Sequence, residues 1–249
     1  MGLRRRAATI VSMRLFVILA AFLAIAGCSV RFDTEEVPAV QTFPFTGNQL
    51  KITSSLGGLR VLPGTSPAVE VERWTRGKAS ASPSWSLRDG VLRLSAECTL
   101  VFGDCGARYH IKVPSGVRLV IDSPDGVILD GLTQDVDVSS GDRIQVKNAS
   151  GKLRLLSDSG GIEGDGLKSP SVRGRTLDGS ISLAFAAPPT TLDLKSREGG
   201  VTARVPKESY QVTVKSADGS SHSDIESTKS SNRTILVRST YGNVRVLAK

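Results

Sequence analysis

From residue 50 onward, apolar and polar positions alternate in short runs, and a glycine punctuates nearly every run. The clearest copy is Ser196-Arg197-Glu198-Gly199-Gly200-Val201-Thr202-Ala203-Arg204-Val205: a small polar residue, two more residues, a Gly, a spacer, then alternating apolar positions. Thr176-Leu177-Asp178-Gly179-Ser180-Ile181-Ser182-Leu183, Ser239-Thr240-Tyr241-Gly242-Asn243-Val244-Arg245-Val246 and Ser54-Ser55-Leu56-Gly57-Gly58-Leu59-Arg60-Val61 repeat it. Asn148-Ala149-Ser150-Gly151-Lys152-Leu153-Arg154-Leu155 fits with Asn in the first place, and looser copies sit at Gly126, Gly141, Gly160 and Gly219. The later anchors Gly160, Gly179, Gly199 and Gly219 recur about every 20 residues, a period that marks stacked repeats or regular β-meanders.

Each part of the unit has a physical reason. Glycine permits a positive φ at a corner where a side chain would clash. Ser, Asp and Asn bond their own backbone in turns. Apolar residues at alternate positions turn one face of a strand toward a core. The pattern predicts an all-β chain folded as a repetitive β-solenoid, a β-helix-like stack of short strands with Gly turns. The alternative is a β-sandwich of ordinary hairpins. Aromatic residues are only 5% of the chain, which favours thin layers lined by Val, Ile and Leu over a bulky two-sided core.

Within this scheme, residues 48–53 and 58–62 read as strands paired around Gly57-Gly58, and 68–74 as an alternating strand. Residues 76–84 read as a surface loop. Asp89-Gly90 is a hairpin signal between 85–88 and 91–95. Pro114-Ser115-Gly116 marks a turn between 109–113 and 117–121. No stretch after Cys28 holds apolar residues at helical spacing over three turns.

The N-terminus carries an address. A basic leader over residues 1–14 precedes an uninterrupted apolar run over 15–26 and small residues, the parts of a secretory signal in order. The run is short of the roughly 20 residues that span a bilayer. Ile25-Ala26-Gly27-Cys28 resembles the lipobox of bacterial lipoproteins, in which the Cys becomes the first mature residue and receives acyl chains such as palmitate. Two or more chains make such an anchor stable. The expected organisation is a signal peptide over 1–27, lipidated Cys28 and a tether over 28–47, and a β-repeat domain over 48–249. Val40, Phe43 and Phe45 are expected to dock the tether's end onto the first strands.

Charge and cysteines narrow the function classes. The formal charge is +8, and Arg4, Arg5, Arg6 and Arg14 before Cys28 supply half of it, leaving +4 for the rest. No Lys/Arg run is interleaved with aromatics, so a nucleic-acid partner is not expected. A modest excess is compatible with weak attraction to anionic envelope polymers. With Cys28 assigned to lipid, Cys98 and Cys105 remain, the pair an exported chain oxidises to a disulfide.

Candidate chemistry is sparse. Asp122, Asp125, Asp130, Asp135, Asp137 and Asp142 form an acidic stretch, as a polysaccharide-cleaving β-helix would need, but Asp125 and Asp130 precede Gly126 and Gly131 and read as turn residues. Gly160-Gly161-Ile162-Glu163-Gly164-Asp165-Gly166-Leu167 has calcium-repeat composition in the wrong order and without tandem copies. His110 and His222 lie far apart, and Ser220-Ser221-His222-Ser223-Asp224, in which neighbouring side chains of a strand would alternate faces, reads as a polar turn and not as a triad. Trp74 and Trp85 read as core or core-edge residues ahead of sugar platforms. No catalytic residue, metal ligand or cofactor is assigned.

With these elements placed, the chain resembles the bacterial β-strand-repeat family of unknown function labelled "putative adhesin". The copies at Gly126, Gly141, Gly151, Gly160, Gly179, Gly199 and Gly242 carry the resemblance, above all Gly199-Gly200-Val201-Thr202-Ala203-Arg204-Val205-Pro206 followed by Tyr210-Gln211-Val212-Thr213-Val214. It covers roughly residues 48–249, and residues 95–108 depart from it as an insertion. It implies a solenoid-like β fold on exported or envelope-associated proteins and carries over no catalytic residue. The expectation is a non-enzymatic, adhesin-like lipoprotein on the extracytoplasmic face of a bacterial cell membrane. Its partners would be the membrane through its lipid anchor, and a cell-wall polymer or envelope protein. The alternatives are a polysaccharide-active enzyme using the acids of 122–142 and an envelope-stress accessory protein acting through a membrane partner.

Overall fold

The computed structural model describes residues 35–98 and 105–249. The expected signal peptide, Cys28 and the start of the tether lie outside the described residues, as does the 99–104 stretch between the paired cysteines. The chain begins with β1 (Val37–Phe43) and passes through β2 (Gln49–Ser54) into β3 (Gly58–Pro63) around Gly57. β4 (Val69–Gly77), a 3₁₀ turn at Lys78–Ser80, β5 (Ser84–Arg88), β6 (Val91–Ser95) and β7 (Cys105–Val113) follow. The rest is a run of two-strand coils: β8 (Arg118–Ser123) with β9 (Val127–Asp130), β10 (Val136–Ser140) with β11 (Ile144–Lys147), and β12 (Leu153–Ser157) with β13 (Ile162–Leu167). β14 (Ser171–Asp178) with β15 (Ile181–Phe185), β16 (Thr191–Glu198) with β17 (Val201–Val205), β18 (Gln211–Asp218) with β19 (Ser221–Ser223), and β20 (Thr234–Tyr241) with β21 (Val244–Ala248) complete it.

Each coil gives one strand to each of two sheets. Sheet I runs β1-β4-β7-β3-β9-β11-β13-β15-β17-β21-β19, and sheet II runs β18-β20-β16-β14-β12-β10-β8-β2-β6-β5. Neither sheet closes on itself. The two face each other over one core, as in a sandwich, yet coil-to-coil pairing is parallel and in register, which makes the body a β-solenoid. Leu119, Val136, Leu153, Val172, Leu192 and Ile235 form one buried column. Val127, Ile144, Ile162, Ile181, Val201 and Val244 form the facing one. Each such side chain contributes about 1.5–3 kcal/mol by leaving water. In the next inward columns Gly164 stands beside Val146 and Leu183, and Gly174 beside Leu155 and Leu194; Leu183, Leu167 and Leu194 fill the gaps, since a Cβ at either glycine would sit 2.8–2.9 Å from their methyl groups. A register shift between Gly164 and Leu167 puts Leu167 in the core. The Gly160–Leu167 stretch thus has a bulge as its structural role.

The structure explains the repeated Ser/Thr-x-x-Gly unit. The first residue is the last inward position of a sheet II strand, and its hydroxyl donates to the corner glycine carbonyl of the neighbouring coil. Thr176 Oγ1 reaches Gly160 O at 2.9 Å, and Ser196, Ser239 and Ser216 reach Gly179, Gly199 and Gly242 O at 2.8 Å. The same glycines donate their N–H back, Gly179 to Glu198 O and Gly199 to Tyr241 O, both at 2.8 Å. The corner needs glycine twice over. Gly179 has φ +134°, and a Cβ there would lie 2.7 Å from Gly160 O. Asn148-Ala149-Ser150-Gly151 lies out of phase: it occupies the opposite corner, between β11 and β12, with Asn148 at φ +52°.

Several expectations change at the two ends. Successive repeats do not all stack in sequence order: β20/β21 lies between β16/β17 and β18/β19. At the other end β7 returns to fill the place between β3 and β4. β2 and β3 belong to opposite sheets and do not pair with each other, and the Pro114-Ser115-Gly116 turn likewise carries the chain from sheet I to sheet II. The hairpin at Asp89-Gly90 forms as expected, with φ of 51° and 73° and β5 antiparallel to β6. The folded body starts before residue 48, because β1 is a strand of sheet I, antiparallel to β4. Within it Phe43 is buried and Phe45 packs on the core, whereas Val40 is 66% exposed.

Candidate binding groove

The outward face of sheet I carries two adjoining hollows. Parallel register places Arg108, Gly58, Gly126 and Arg143 side by side on four adjacent strands. Two arginines therefore flank two glycines, and the missing side chains leave a hollow of about 370 Å³. The next outward row, His110, Arg60, Ile128 and Gln145, forms its second side. Gln145 also lines the second hollow, of about 530 Å³, where the small outward side chains of Ser182 and Ala184 leave space between Lys147, Glu163, Asp165 and Arg204. The two extend across β7 to β17, six strand steps or about 29 Å at the usual spacing.

Charges along this face are balanced in pairs. Arg60 donates to Asp130 at 3.3 Å, Arg108 to Glu36 at 2.6 Å, and Lys112 to Glu70 at 2.6 Å and Glu72 at 3.3 Å. The bonds to Glu70 and Glu72 raise the Lys112 pKa. Burial lowers the pKa of His110, and the Arg60, Arg108 and Lys112 charges lower it further against the pull of Glu72, so the ring is neutral at neutral pH. Trp74 continues the face beyond the first hollow, with the Arg108 guanidinium 4.5 Å and the His110 ring 4.7 Å from its ring centre. It is thus on a polar outer face. Trp85 is at the core edge, edge-on to Phe43 at 6.5 Å and under the Arg73 guanidinium at 4.1 Å.

The acids of 122–142 are dispersed. Asp130 faces outward on sheet I with Arg60, while Asp137 faces outward on sheet II and accepts from Arg154 at 3.0 Å. Asp125 accepts the Gly57 N–H at 2.5 Å and Asp135 the Lys152 N–H at 2.8 Å, so both hold turns of neighbouring coils. Asp122 is exposed on sheet II. Among the described residues no group of three or more His, Cys, Asp or Glu is arranged to hold a metal ion. His222 and Asp224 share a 2.7 Å hydrogen bond on the exposed surface. Cys98 and Cys105 are joined by a disulfide.

The model of one protein family matches residues 115–248, more than half of the chain. The chain belongs to the Toastrack DUF4097 family. The matched Toastrack residues begin just before β8 and take in every regular coil. Solved structures resemble it at low identity. One, described as a putative cell adhesion protein from Clostridium sporogenes, is 12% identical over 87% of this chain and 100% of that one, with TM-score 0.39. A putative adhesin from Bacteroides fragilis is 13% identical over 85% and 97%, with TM-score 0.41. A putative adhesin from Parabacteroides distasonis is 10% identical over 86% and 98%, with TM-score 0.42. No curated protein matches the chain.

His110, Gly58, Gly126 and the Glu163-Gly164-Asp165 stretch drew notice in the sequence for other reasons, but their meeting in a groove did not, because its row of Arg, Gly, Gly and Arg draws on β7, β3, β9 and β11. Such a row exists only once the register of four strands is known.

Proposed function

We propose that this Toastrack protein is a non-enzymatic, adhesin-like lipoprotein, anchored through Cys28 on the extracytoplasmic face of a bacterial membrane, and that the sheet I groove binds a linear cell-envelope glycan. The observation that carries the reading is the groove itself: adjoining hollows in line along the solenoid, floored by Gly, Ser and Ala and walled by charges of both signs. A linear chain laid across the strands meets a new set of side chains at every step of about 4.8 Å. Alternating donors and acceptors, with Trp74 at one end, suit hydroxyl-rich sugar rings. Rigid strand surfaces offer many such shallow contacts in a row.

The test is retention of the soluble piece 29–249 on native cell walls and purified glycans, scoring bound protein and released fragments together. The expected result is saturable retention with no fragments, weakened by Gly126→Gln, which fills the first hollow. Fragment release would overturn the non-enzymatic reading. Cys28→Ser is expected to move the protein from membrane to soluble fractions; unchanged membrane retention would rule out anchoring through that residue.

A further inference from the structure

The outward face of sheet II does not follow the pairing of signs seen on sheet I. There Lys147 stands between Asp130 and Asp165 on the adjacent strands. On sheet II, Arg175, Lys195, Arg238 and Lys215 stand side by side on β14, β16, β20 and β18. Four cations on four neighbouring strands make a row about 14 Å long. In the adjoining row Arg154 stands beside Arg173. Like charges directly opposite each other destabilise a sheet.

Two carboxylates face these six cations. Asp137 is held by Arg154. Asp193 is shared by Arg175, by Arg238 at 3.1 Å and by Arg173 at 3.6 Å. Lys195 and Lys215 are exposed and, among the described residues, form no ion pair. The patch therefore carries an excess of four positive charges, equal to the +4 that remains after the four arginines before Cys28. The residues after Cys28 are otherwise neutral in sum.

We propose that this row is a second binding site, separate from the groove, for a linear phosphate-bearing polyanion. Arg175 is tied down by the Gly174 and Asp193 carbonyls and the Asp193 carboxylate, and Arg238 by the same carboxylate, so both hold fixed positive charge in the row, while the exposed lysines act as mobile point charges that reach an anionic chain. Cations at steps of under 5 Å match closely spaced phosphates better than the one charge per ring of an acidic sugar chain. The patch has no aromatic side chain between its cations, so base stacking has no platform. The row runs along the solenoid axis, so an extended polymer meets all four cations at once.

The test uses the full chain in detergent and long-chain inorganic polyphosphate as probe, with a polygalacturonate chain and phosphatidylglycerol vesicles in parallel. Saturable, salt-sensitive binding of polyphosphate is expected, stronger than that of polygalacturonate. Lys195→Gln/Lys215→Gln should weaken it tenfold or more. Both lysines are exposed, so the variant should melt as the native protein does, and its retention on glycans should be unchanged. Lys147→Gln/Arg204→Gln on sheet I should bind polyphosphate as the native chain does. Absence of saturable binding, or equal affinity in the sheet II variant, overturns the proposal. Tighter binding to vesicles than to polyphosphate overturns it as well and makes the patch a membrane contact.

Discussion

The regular coils from β8 onward and the irregular end built from β1 to β7 solve the same problem differently. The regular coils share a corner rule: from β14 onward a hydroxyl bonds the corner glycine carbonyl of the neighbouring coil, and in β10 and β12 the Ser140 and Ser157 hydroxyls bond the Asp125 and Asp142 carbonyls at the same corner. The irregular end lacks that rule. Ser54 finds only the Ser123 hydroxyl, at 2.9 Å. Antiparallel strands β1, β4 and β5, the Cys98–Cys105 disulfide and larger side chains close the stack instead. Arg73 points inward there beside Tyr109; burial lowers the pKa of the first and raises that of the second. The Arg73 Nε and Nη1 and the Tyr109 hydroxyl are buried without hydrogen-bond partners. A repeat can rely on its neighbour, whereas a terminal layer has one neighbour too few and needs its own fastening.

The largest expected effect strikes the corner rule. Gly179→Ala should cost about 3–5 kcal/mol, since the left-handed backbone and the overlap with Gly160 O add. Gly116→Ala, at φ +76° with nothing within 4 Å of its Cβ, should cost only about 1–2 kcal/mol. Denaturant unfolding of both variants separates the neighbour's contribution from that of φ, and equal losses would refute close coil contact as the reason for the glycine.

Next comes the irregular end. Cys98→Ser/Cys105→Ser should cost about 2–3 kcal/mol. Hydrogen exchange should show the loss in β4 to β7 while β12 to β17 stay protected; uniform deprotection would mean that the two regions unfold as one. Ser196→Ala should cost about 1–2 kcal/mol by leaving Gly179 O without its hydroxyl donor. Ser54→Ala, which removes a bond between two hydroxyls, should cost less in the same assay.

The smallest effect separates the two regions by pH. His110 belongs to the irregular end and its pKa is lowered, so the unfolded chain takes up the proton first. Its contribution is full above the ordinary value of 6.5 and is lost as pH falls below it. Asp193 belongs to the regular coils. Burial raises its pKa, but bonds from Arg175 and Arg238 outweigh this and hold it below 3.8, so its contribution is full above 3.8 and is lost on further acidification. Protection factors in β4 and β7, taken relative to the intrinsic exchange rate at each pH, should therefore fall from neutral pH to about pH 5.5, and His110→Gln should flatten that fall. The Asp193 contribution to sheet II should be lost only on acidification below 3.8.

Legibility followed the range of the interaction involved. Ser196-Arg197-Glu198-Gly199 reads as a corner because hydroxyl and glycine sit three residues apart within one coil. Its bonding partner, Gly179, is the preceding copy, so the repeat period held that information too. Asn148-Ala149-Ser150-Gly151 misled because a small residue before Gly serves either corner, and only the phase of the buried columns tells which. The acids of 122–142 looked like a group in sequence and were scattered over both faces and the turns, since a coil of fewer than 20 residues sends neighbours in opposite directions. The Gly58, Gly126, Arg108 and Arg143 hollow left no local trace.

Sequence alone determined that this chain is built of short β strands with glycine turns and favoured a solenoid over a sandwich, because glycine corners and period-2 apolar runs are local demands of backbone and solvent; that each coil has two strands came from the sheets. Sequence also set the cysteine pair of a chain expected to be exported. Tertiary structure alone decided the order of the coils at each end, since β20/β21 lies between β16/β17 and β18/β19, and β7 between β3 and β4, which chain order does not give. It decided the two outer faces as well. Parallel register multiplies each outward residue into a row, and whether a row reads Arg-Gly-Gly-Arg or Arg-Lys-Arg-Lys depends on residues as far apart in the chain as Gly58 and Gly126 meeting on adjacent strands.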